Sequence, residues 1–195
     1  HICNSFYNHP KEYQEKRFTL NDFLFDNWYS TPCVWGGIFS INIIRENCLY
    51  FSSKYRSGED MLFKLQYMLK SRRAVAFTDE LYFYFQNPES VVHTINISVL
   101  IEAIQACSEG FQLLVGYEFS RNAVGRIIYS YCKSLQTDGK LHEMMNKEQK
   151  QIVKEKLRMI YEQVKWHENE KVKLILVMYA PLIYRLLRKV FSAKF

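Results

Sequence analysis

"YRSGEDMLFKLQYMLKSRRAVAF", residues 55–77, sets an acidic pair, Glu59 and Asp60, behind Gly58 and ahead of a run that changes period before it ends. Met61, Leu62, Leu65, Met68 and Leu69 recur at helical spacing, with Lys64, Gln66 and Lys70 mostly facing away, which predicts a helix over 59–71. "RAVAF" (73–77) is short and apolar and reads as a strand. The flanking segments extend that pattern. "ICNSFY" (2–7), "CLYFS" (48–52) and "ELYFYF" (80–85) read as strands, and 40–47 as a further helix. Strands mixed with helices predict an α/β unit over residues 1–94. Its first strand starts in mid-fold and no initiator methionine precedes it, so the expectation is a piece of a longer protein.

Beyond residue 95 the reading is helical almost throughout, over about 97–119, 121–136, 146–166 and 171–193. Residues 95–195 are thus expected to form a helical C-terminal region. "QTDGK" (136–140) is the clearest loop, with Asp138-Gly139 as a turn pair. Ser120 is placed to cap the helix after it.

The chain has 195 residues, 48% of them hydrophobic and 16% aromatic, the composition of a packed protein and not of a disordered one. Its five cysteines are scattered with no C-x-x-C pair. That pattern indicates neither a zinc site nor a disulfide framework, and favours a reducing compartment. The five histidines include no H-E-x-x-H.

Charge is distributed unevenly. Lys and Arg total 26 against 20 Asp and Glu, yet residues 171–195 hold six basic residues and no acidic one, so the net charge of +6 resides in that tail. At about 100° per residue Ile183, Leu186, Leu187, Val190 and Phe191 share one face of the last helix, opposite Arg185, Arg188 and Lys189. The apolar run 174–184 is 11 residues long and interrupted by Pro181, too short to span a bilayer. Two readings stand side by side: a helix lying in an anionic membrane surface, or a terminal helix packing its apolar stripe on the body. Nucleic acid is not an expected partner, because the charges are few and lack interleaved aromatics.

The acidic pair also has two readings. Ser57 can cap the helix, with Glu59 and Asp60 in the first turn, where the dipole stabilises each by about 0.3–1 kcal/mol. A carboxylate held rigidly at a helix start can equally accept a proton from a hydroxyl, and the helix N-terminus favours its ionised form.

Residues 31–94 decide how the pair is weighed. "TPCVWGGIFSINIIRENCLYF", "GEDMLFKLQYMLKSRRAVAFTDELYFYF" and "NPESVV", in that order and spacing, resemble the later half of a bacterial family 2 glycosyltransferase of the GT-A fold. The resemblance implies an inverting transfer of a sugar from a nucleotide-sugar donor to a glycan or lipid-linked acceptor. It implies Asp60 as general base, Glu59 as its acceptor-orienting partner and Trp35 lining the sugar site. Ser90 matches a position near the donor diphosphate, although Phe85 stands where many relatives carry an arginine. His93 is a candidate toward the metal or diphosphate, against the ordinary structural role of a lone histidine. The family's D-x-D element, which carries Mg²⁺ or Mn²⁺, has no counterpart in this sequence. The expected metal ligands therefore lie mostly outside the chain, which is expected to be inactive alone. The implied location is cytoplasmic, at the inner face of the membrane. The rival expectation is a non-catalytic helical interaction or membrane-surface module.

Overall fold

The computed structural model describes residues 16–19, 34, 35, 37–76, 85 and 96–192, with backbone alone at 16–19, 73–76 and 188–192. Among them are two strands, β1 (Lys16–Thr19) and β2 (Arg73–Ala76), and eight helices: α1 (Ile41–Glu46), α2 (Glu59–Met68), α3 (Ile97–Leu113), α4 (Glu118–Thr137), α5 (Gly139–Met144), α6 (Lys147–Gln163), α7 (Glu168–Tyr179) and α8 (Pro181–Ser192).

The described residues overturn the α/β, GT-A-like expectation: they form a helical assembly. Its only accompaniment among them is an antiparallel ribbon pairing Lys16 with Ala76 through Thr19 with Arg73. The stretch "CLYFS" shows why. Instead of pairing as a strand, it closes α1. Cys48 takes a left-handed φ of 49°, its N–H bonds to the Arg45 carbonyl at 3.3 Å, and the Leu49 N–H reaches back to Ile44 at 3.0 Å. That is a Schellman closure, with buried Leu49 as the apolar residue beyond it. "RAVAF" does contain a strand. "ICNSFY" and nearly all of "ELYFYF" lie outside the described residues.

Helix boundaries move for similar local reasons. The span predicted over 97–119 stops at Leu113, because Gly116 takes a φ of +91°. Helix α4 then starts after Tyr117, which places Ser120 buried inside its first turn and not at its cap. Asp138 opens a helix where a turn was expected, its carboxylate accepting the Leu141 N–H at 3.0 Å. Pro181 divides the last predicted helix into α7 and α8, since it has no N–H to continue the ladder.

Helix α4 is the hub: α3, α5, α6, α7 and α8 all pack on it. Its buried Val124, Ile128, Cys132 and Leu135 meet Phe111 of α3, Val153, Leu157 and Ile160 of α6, and Leu174 and Val177 of α7. Each such aliphatic side chain contributes about 1.5–3 kcal/mol on leaving water. Trp166, between α6 and α7, donates its indole N–H to the Ile160 carbonyl at 2.9 Å and meets Tyr129 edge-on at 5.5 Å. Helix α2 lies on α3, joining Met61, Leu65 and Met68 to the same core.

Candidate functional site

Four residues before α2 set where its carboxylates sit. Tyr55 is buried and donates its hydroxyl to Glu109 of α3 at 2.9 Å. The Arg56 guanidinium forks onto Glu102 of α3, with Nε at 3.0 and 3.1 Å from its two oxygens, and the Arg56 backbone N–H adds a bond of 2.8 Å. Gly58 then turns the chain into the helix at φ +85°, where a Cβ would stand 2.9 Å from the Ala106 Cβ. The N-cap is therefore Gly58, with no side-chain bond, and the capping role expected of Ser57 is not taken up. Glycine serves here because it alone adopts that φ without strain and clears α3.

Asp60, half-buried, accepts the Met61 N–H on Oδ1 at 3.1 Å. Burial, and then the neighbouring Glu59 charge, push its carboxyl above the usual carboxylate range, against the partial pull of the Met61 amide and Lys64. The sequence expectation had the opposite sign, with the helix terminus favouring the ionised form. Lost hydration outweighs the terminus here. Oε2 of Glu59 is buried with no hydrogen-bond partner among the described residues. The pair thus combines a carboxylate of raised basicity with a buried acceptor still open.

At one helical turn per three to four residues, Phe63 and Tyr67 lie along the same side of α2 as Asp60. Phe39 meets them edge-on at 5.6 and 4.9 Å, and Phe51 stacks on Phe63 at 4.4 Å. The Tyr67 hydroxyl accepts the Ser40 N–H at 2.6 Å. This aromatic group binds the segment carrying Trp35 to the helix carrying Asp60. Trp35 itself is half-buried in a turn closed by the Gly37 N–H on the Val34 carbonyl at 3.2 Å. Ser90 and His93 lie outside the described residues, and Phe85 is exposed. Sequence reasoning missed Phe39, Phe51, Glu102 and Glu109. The last two sit two turns apart on α3, a spacing that could have marked a face for a basic partner.

Among the described residues no group of three His, Cys, Asp or Glu side chains is placed to hold a metal ion. Buried Cys107 has its thiol pushed up to about 12 by burial, so it is an inert core group. No family model, no curated protein and no solved structure matches the chain.

Proposed function

We propose that this chain supplies the acceptor-activating carboxylates of an inverting sugar transfer from a nucleotide-sugar donor to a glycan or lipid-linked acceptor. The observation that carries the reading is the Glu59–Asp60 pair: one carboxyl of raised basicity, and beside it a buried oxygen without a partner among the described residues, both at a helix start pinned to α3. Asp60 takes the proton of the acceptor hydroxyl as its oxygen bonds to the anomeric carbon. The bond from that carbon to the diphosphate oxygen breaks, and the nucleoside diphosphate leaves with the electron pair. Glu59 Oε2 accepts a second acceptor hydroxyl and fixes its orientation. Trp35 offers an aromatic face to the sugar. A divalent metal on the departing diphosphate would be held mostly by residues outside this chain and would neutralise the charge that develops there.

The test is a transfer assay on the protein that carries this chain. Asp60→Asn is expected to lower kcat/KM by about 10²–10⁴ with donor affinity and thermal unfolding retained. Glu59→Gln is expected to raise KM for acceptor more than it lowers kcat. Near-normal turnover of Asp60→Asn overturns the general-base role. The competing reading, a non-catalytic helical module, is favoured by the apolar face left open on α7 and α8. It predicts that neither substitution changes any sugar transfer.

A further inference from the structure

We infer that α7 and α8 form a docking face for an anionic lipid bilayer surface, lying in the plane of the interface. Val172, Ile175 and Tyr179 share one side of α7 and are 57%, 40% and 63% exposed. Across the Ala180–Pro181 break, Leu182, Ile183, Leu186 and Leu187 share one side of α8 at 63%, 53%, 65% and 40% exposure. These are large side chains at helical spacing turned to solvent, while Leu174, Val177 and Met178 of α7 are buried and Tyr184 of α8 packs against the core. The inward side of each helix is already satisfied. The expectation that the terminal stripe packs on the body is therefore not met by Ile183, Leu186 and Leu187.

Apolar exposure alone does not name an occupant; charge does. Residues 171–195 hold six cations and no anion. Among the described side chains of this segment only Lys171 pairs with a carboxylate, Glu168 in the first turn of α7, at 2.9 Å, and the other acid of that turn, Glu170, is taken by Arg126 of α4. A protein groove with an apolar floor asks for hydrophobic contact but not for a wholly cationic segment. A bilayer carrying acidic headgroups asks for both, the leucines entering the acyl boundary while the lysines and arginines remain among phosphates. No helix of the described residues is long and apolar enough to cross a membrane, and α8, at 12 residues, suits the interface plane. The inference is independent of Asp60 and of any catalysis.

The experiment is co-sedimentation of the full 195-residue chain with vesicles of phosphatidylcholine alone or with a third phosphatidylglycerol. The wild type is expected to bind the mixed vesicles at least tenfold more tightly than the neutral ones, with binding falling as salt rises. Leu182→Gln/Leu186→Gln, at exposed positions that leave the core untouched, is expected to lower binding at least tenfold with unchanged helical circular dichroism. Failure to bind mixed vesicles overturns the inference, as does undiminished binding by the double variant. A self-association in sedimentation velocity that this variant abolishes, without lipid binding, assigns the face to a second copy and overturns it as well.

Discussion

Asp60 is a residue whose protein environment works against its own ionisation, and that has a measurable consequence for stability. Its carboxyl lies above the usual range because burial and Glu59 disfavour the charge. A group whose folded value exceeds its unfolded one contributes stability below the unfolded value, near 3.8, and loses it as pH rises through the folded value. Asp60→Asn is therefore expected to match or exceed the wild type in urea-induced unfolding at pH 7, with any advantage gone below about pH 3.8. Gly58 makes the complementary case. Gly58→Ala meets both a left-handed φ and the Ala106 methyl, and should cost about 1–3 kcal/mol in the same unfolding experiment. None of this was visible in the residue string. "SGED" spells a plausible serine cap, and only the three-dimensional approach of α3 shows that glycine performs the turn.

At the scale of elements, helix signals were legible wherever burial follows one clean stripe. Val153, Leu157 and Ile160 on α6 are buried at the spacing their positions predict, while on α2 burial is wider and takes in Leu62 and Phe63 beside Met61, Leu65 and Met68. Ends were less legible, because capping depends on backbone geometry as much as on residue type. Helix α6 carries a full capping box, with Asn146 accepting the Gln149 N–H at 2.8 Å and Gln149 accepting that of Asn146 at 3.0 Å. Asn146→Ala should cost about 1 kcal/mol in thermal or urea unfolding. Helix α7 shares the N3-to-N-cap half of that device and adds an ion pair to it. Glu170 bonds the Arg126 guanidinium of α4, one contact at 3.0 Å, and accepts the His167 N–H at 3.0 Å. Arg126 first, and then that amide, hold its carboxyl down to about 2. A depressed acid contributes stability above its unfolded value, about 4.3, and loses it as pH falls toward the folded one. The stabilisation is modest, because the pair is partly exposed and screened. Stability of the wild type should decline between these two values relative to Glu170→Gln, read from melting temperatures across that range.

At the scale of the molecule, the larger buried cluster among the described residues runs from Met61 to Met178 and is centred on α4, while Tyr55, Leu62 and Ala106 form a second, smaller one. The stretch "CLYFS" misled the fold reading because an apolar and aromatic run can close a helix as readily as it pairs in a sheet, whereas "RAVAF" does hold a strand. Leu157→Ala, at the fully buried contact of α6 with α4, should cost about 2–5 kcal/mol while unfolding remains a single transition by circular dichroism. Among the described glycines, Gly125 leaves the least room for a side chain: an added Cβ would stand 2.4 Å from Val164 Cγ2. Among diverged copies of this chain the two sites should change in concert: a side chain can enter position 125 only where position 164 has already become smaller, so the order of substitutions is itself constrained.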